Sequence, residues 1–90
     1  MKVIKIGAVW CSGCLVMRPR WEEIEKENSW LVTENLDFGE DSEKIKMYDL
    51  DEGSLPTFIF LDKEGKEFTR LTGEISKKKL LKIIEKYRDK

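Results

Sequence analysis

The chain has 90 residues, 40% of them apolar and 39% charged, with a formal net charge of −1. That composition predicts one small soluble domain over residues 1–90, with a marginal core, because a chain this short buries only about 60 to 65% of its unfolded surface. Two cysteines and no histidine exclude a Cys-His or Ser-His-Asp nucleophile, a histidine-bearing zinc finger and a four-cysteine zinc site within one chain.

Met1-Lys2 is followed by Val3 and Ile4 before Lys5 interrupts, so no secretory signal is expected at the start, and no run of about 20 apolar residues follows. Val3 to Val9 reads as a strand, mostly apolar as suits one covered on both faces. It runs straight into Cys11 and Cys14. From Cys14 the apolar positions Met17, Trp21 and Ile24 recur at helical spacing, predicting a helix to about Asn28, with Pro19 inside it as a bend or a misplaced start. Trp30 to Phe38 is a strand candidate whose alternating face carries Trp30, Val32, Leu36 and Phe38, with Glu34 as the exception. Asp41 to Tyr48 reads as a short polar helix and Asp49 to Ser54 as a loop.

Thr57 to Leu61 is a strongly apolar strand, and Asp62 to Gly65 is turn chemistry leading into a second strand, Lys66 to Leu71, which makes a hairpin. After Gly73, Ser76 is a candidate N-cap for a C-terminal helix with Leu80, Ile83, Ile84 and Tyr87 on its apolar face. Lys77, Lys78 and Lys79 in its first turn oppose the helix dipole and read as a solvated face. The order is β-α-β-α-β-β-α, with the first two strands parallel and the last two antiparallel. It predicts an α/β fold, a small mixed sheet covered by helices on both faces.

Charge is segregated along the chain: residues 1–21 carry +4, residues 22–52 carry −9 and residues 62–90 carry +4. This is the pattern of solvated helix faces. Without a basic excess interleaved with aromatics, no nucleic-acid partner is expected, and without an apolar span no membrane.

A disulfide across Cys11 and Cys14 would close a loop of about four residues, worth roughly 2 kcal/mol in chain-entropy terms. The pair therefore serves chemistry or ligation, not stapling, and the default compartment is a reducing cytoplasm, where a reversible disulfide is informative. A cysteine at the point where a strand ends and a helix begins meets unpaired N–H groups and the positive dipole end, which favour thiolate. Cys11 is then the nucleophile. Cys14, one turn on and facing inward, resolves the mixed disulfide intramolecularly.

Trp10-Cys11-Ser12-Gly13-Cys14, Pro19 five residues on, Leu55-Pro56-Thr57 opening an apolar strand, and Gly73 after the hairpin resemble the thioredoxin family in type, order and spacing. The resemblance runs from Val3 to nearly the end of the chain. It implies a thioredoxin fold in a minimal form, four strands and three helices, trimmed of the usual leading strand and helix. It implies a thiol–disulfide oxidoreductase that exchanges electrons with protein disulfides, as a monomer, with Cys11 as nucleophile and Cys14 as resolving thiol. No metal or bound cofactor is needed, and an external, thioredoxin-reductase-like donor restores the dithiol.

The resemblance further implies that Pro56 is cis against the cysteines, that Pro19 is a tolerated kink, and that Trp10, Ser12, Gly13, Leu55, Pro56 and Gly73 frame a docking rim. Residue type alone would put Trp10 in the core and make Pro56 an ordinary strand-start proline.

Two departures stand out. Lys5 occupies the position where the family usually carries a buried acid; pointing inward it would favour thiolate at Cys14, while residue type favours an outward, snorkelling lysine. Ser12-Gly13 replaces the family's usual Gly-Pro, so a potential above thioredoxin's value of about −270 mV is expected.

Three other readings compete. A glutaredoxin-like, glutathione-dependent enzyme is disfavoured by Trp10 and by a single glycine at Gly73. A two-thiolate soft-metal binder is disfavoured by the C-terminal helix. The third is a non-catalytic thioredoxin-like interaction module.

Overall fold

Seven elements follow one another in a computed structural model that describes residues 1–50 and 55–90. They are β1 (Lys2–Gly7), α1 (Ser12–Glu27), β2 (Val32–Asp37), α2 (Ser42–Lys46), β3 (Thr57–Leu61), β4 (Glu67–Thr72) and α3 (Lys77–Lys86). The strands form one mixed sheet in the order β2-β1-β3-β4. The pair β1–β2 is parallel, as its helical connection requires, and β1–β3 and β3–β4 are antiparallel. This is the predicted four-stranded mixed sheet with three helices.

Both faces of the sheet are covered. Val3, Phe58 and Phe60 pack against Met17, Trp21 and Ile24 of α1 and Leu80 and Ile84 of α3. On the opposite face Ile4, Ile6, Leu36, Ile59 and Leu61 pack with Ile45 of α2. Every residue of β3 is buried, which explains why its sequence is a continuous apolar run instead of an alternating one. In β1 the alternation places Val3 on the α1 side and Ile4 and Ile6 on the other, so Lys5 and Gly7 share the α1 side with Val3.

Where the boundaries differ from expectation, local bonding gives the reason. β1 stops at Gly7, whose carbonyl accepts from Phe38 N–H, and a turn closed by Cys11 N–H on Ala8 O lifts Val9 and Trp10 out of the sheet. α1 starts at Ser12, ahead of its apolar stripe, with Cys11 as N-cap, and runs unbroken through the exposed Pro19. Its end is fixed by Asn28, which donates both its backbone and its side-chain N–H to Ile24 O at 2.9 Å.

β2 is shorter than predicted, and the predicted apolar face does not hold throughout. Leu36 is buried, but Val32 is 55% exposed, because α2 and its flanks reach only the far end of that face. Glu34 pairs with Lys2 Nζ at 2.8 Å and so belongs to the solvated part. α2 is also shorter than Asp41–Tyr48, and of the expected loop Asp49–Ser54, residues 51–54 lie outside the described residues.

The hairpin turn is built by Asp62, whose carboxylate accepts from Glu64 and Lys66 N–H, with Gly65 at φ +82°. Ser76 caps α3 by accepting from Lys79 N–H. Lys77 is not simply a solvated cation: its ammonium lies 3.1 Å from Glu23 and 3.0 Å from Glu27 of α1, which tie the two helices together.

Candidate active site

The end of β1 and the start of α1 bring the two cysteines together. They form a disulfide with Cα atoms 5.3 Å apart. Cys11 is the N-cap residue in extended conformation, and its Sγ accepts from the Cys14 backbone N–H at 3.2 Å. The first turn of α1 holds no acidic residue of its own, so its positive dipole end faces that sulfur, with the Glu74 carboxylate approaching the same turn at Gly13, 3.8 Å from a Cβ built there. These are the two physical terms that stabilise a thiolate.

Cys14 sits over Gly7. A Cβ built on Gly7 would lie 2.9 Å from Cys14 Sγ, so the bare backbone of β1 is the seat of the second sulfur. Contrary to expectation, Cys14 is not the more enclosed of the two. Cys11 is 7% exposed and Cys14 half-buried, because Cys14 opens onto a cavity of about 650 Å³ between α1 and the ends of β1 and β2.

The remaining expected residues surround the pair unevenly. Pro56 is buried and follows a cis peptide bond; its Cδ would lie 3.1 Å from a Cβ at Gly13, so glycine there allows the close approach. Pro56 O accepts from Gly73 N–H at 2.8 Å, and Gly73 adopts φ +92°, which only glycine takes without strain. Ser12 is exposed, and Trp10 is 64% exposed instead of buried in the core, beside Val9, which is also exposed. Leu55 differs: its half-buried side chain packs against the Ile4–Ile59 core.

Lys5 is the clearest departure from the residue-type reading, which turned it outward. Its side chain is 12% exposed, its Nζ lies 2.8 Å from Glu25 Oε2 and 5.7 Å from the centroid of the Trp21 ring, and it lines the same cavity as Cys14. It points inward because α1 supplies a carboxylate above it. Glu25 was not singled out by sequence; at a polar position beside Ile24 it carried no motif. Gly7 carried one unread signal, an isolated glycine in a strand pattern, which marks close approach of another group. Among the described residues, no three His, Cys, Asp or Glu side chains converge on a possible metal position.

A sequence profile of the thioredoxin domain matches residues 1–86. The chain belongs to the thioredoxin family. Its similarity to thioredoxin H5 of rice is 32% identity over 71 residues, 79% of this chain and 50% of that protein, so the chain spans about half the length of that relative. Thioredoxin of Chlamydia caviae is 29% identical over 85 residues, 94% of this chain and 80% of that protein. The solved structure of Fasciola hepatica thioredoxin superposes with a TM-score of 0.84 at 29% identity, covering 96% of this chain and 79% of that one. A Cys-x-x-Cys pair at disulfide distance in a thioredoxin domain is the dithiol couple of a thiol–disulfide oxidoreductase.

Proposed function

We propose that this chain exchanges electrons with disulfides of protein substrates through Cys11 and Cys14. In the reducing direction the Cys11 thiolate attacks a substrate disulfide, forming a Cys11–substrate mixed disulfide and releasing one substrate sulfur as thiolate. Cys14, deprotonated, then attacks Cys11 Sγ, so that the Cys11–Cys14 bond forms and the second substrate sulfur leaves. An external donor of the thioredoxin-reductase type returns two electrons to the pair. The chemistry needs no bound metal or organic cofactor.

The observation that carries this reading is Cys11 as the N-cap of α1, its sulfur accepting the Cys14 N–H at the positive end of the helix. Trp10, Ser12, Gly13, Pro56 and Gly73 supply the docking rim; Leu55 contributes through its backbone, since its side chain faces the core. A reducing cytoplasm, the default compartment for a reversible Cys-x-x-Cys pair, and a monomeric state complete the proposal.

Reduction of insulin disulfides with dithiothreitol as donor tests the activity. The wild type accelerates it and Cys11→Ser abolishes the acceleration; a wild type that accelerates nothing overturns the reading. With Ser12-Gly13 between the cysteines, equilibration against glutathione gives a potential above about −270 mV. A value at or below that contradicts the role assigned to this pair.

A further inference from the structure

The cavity beside Cys14 holds an ion pair that the exchange reaction described above does not use. Lys5 and Gly7 lie two residues apart on one face of β1, a spacing of about 7 Å, and Gly7 is the seat of Cys14 Sγ. A lysine side chain spans that distance. Its ammonium instead lies against Glu25, eleven residues beyond Cys14 and therefore about 16 Å further along α1. Glu25 is itself clamped, because its second oxygen accepts from Thr33 Oγ1 of β2 at 2.9 Å. Trp21 also lines the cavity, and its Nε1 is buried without a hydrogen-bond partner among the described residues.

We propose that Glu25 is a positioning residue for the resolving thiol: anchored by Thr33, it draws the Lys5 ammonium away from Cys14 and neutralises it. Cys14 then keeps its proton until the mixed disulfide forms. With Glu25 neutral, Lys5 is free to turn along β1 and its charge stabilises the Cys14 thiolate. The other charged groups facing this cavity are Arg18 and Glu22 of α1, Asp37 at the end of β2, and Glu40 and Asp41 before α2. None of them is ion-paired with Lys5.

This inference rests on Cys14 being the resolving thiol, and its test reads the thiol directly, so it fails or stands apart from insulin reduction. In a Cys11→Ser background, the pH dependence of iodoacetamide alkylation reports the Cys14 midpoint. Glu25→Gln lowers that midpoint by about 1.7 units, roughly a fiftyfold change in acidity, the size expected for one unpaired charge at about 7 Å through a medium of dielectric constant about 20. The double variant Lys5→Met, Glu25→Gln, which removes both charges and keeps the carboxamide against Thr33, returns to the parent value. An unchanged or raised midpoint in Glu25→Gln overturns the proposal. So does an equal drop in the double variant, which would mean that Glu25 acts otherwise than through Lys5. Should Glu25→Gln alone lose its fold, Glu25→Met, which keeps the side-chain length and also removes the carboxylate that pairs Lys5, lowers the midpoint in the same direction; no change there also overturns it.

Discussion

Cys11 owes its chemistry to where α1 begins. A residue earlier or later it would lose either the Cys14 N–H or the free helix end, and the sulfur would be an ordinary thiol. In the reduced protein near neutral pH, alkylation therefore strikes Cys11 well before Cys14, even though Cys11 is the less exposed residue in the disulfide form. Peptide mapping by mass spectrometry checks this, and equal rates contradict it. Gly7 is the complementary position. An alanine there meets Cys14 Sγ at 2.9 Å, and a sulfur held in a disulfide cannot rotate away. Gly7→Ala should cost about 1 to 3 kcal/mol in the oxidised form, as overpacking does, and less in the dithiol. Urea unfolding of both forms measures the difference; equal losses would show that the contact is relieved some other way.

At the scale of elements, what could be read from sequence followed what each residue faces. β3 and α3 were legible because their surroundings are simple: β3 is buried on both sides, and α3 has a capped start and one apolar stripe over Leu80 and Ile84. Leu80→Ala, at a fully buried position, should destabilise by about 2 to 5 kcal/mol, and Ser76→Ala by about 1 kcal/mol through the lost cap. Thermal unfolding checks both, and the reverse ranking would mean that α3 is held by its cap more than by its packing. α1 was misplaced at its start because Ser12 and Gly13 carry no apolar periodicity, so only the cysteine chemistry marks the first turn. In β2 the alternation broke down at Val32, since how far a covering helix extends is a tertiary fact. The cysteine pair, Pro56 and Gly73 were legible as a constellation. Lys5 was not, because the side a lysine takes depends on a carboxylate twenty residues away.

Across the whole molecule, the charge segregation seen in sequence becomes ion pairs between distant segments, Lys2–Glu34, Lys5–Glu25 and Lys77 with Glu23 and Glu27, beside one pair local to β4, Arg70–Glu67. Arg70 donates to both oxygens of Glu67 at 2.6 Å and holds that carboxyl below its ordinary 4.5; the Lys2 ammonium does the same for Glu34. A carboxyl depressed in the folded state contributes stability above its unfolded pKa and loses it as pH falls through the folded value. Stability should hold through neutrality and decline below about pH 4.5, modestly, since both pairs lie near the surface. Glu67→Gln should decline less steeply, as measured by urea midpoints across that range; an identical acid profile would mean that other carboxyls dominate.

The same molecule must perform two sulfur attacks in order, and variants of the two cysteines separate them. Incubated with a disulfide-bonded protein, Cys14→Ser should accumulate a mixed disulfide through Cys11, visible as a covalent adduct by mass spectrometry and cleared by dithiothreitol, while Cys11→Ser accumulates none. An adduct in Cys11→Ser, or in neither variant, would contradict the assignment of attack to Cys11 and resolution to Cys14.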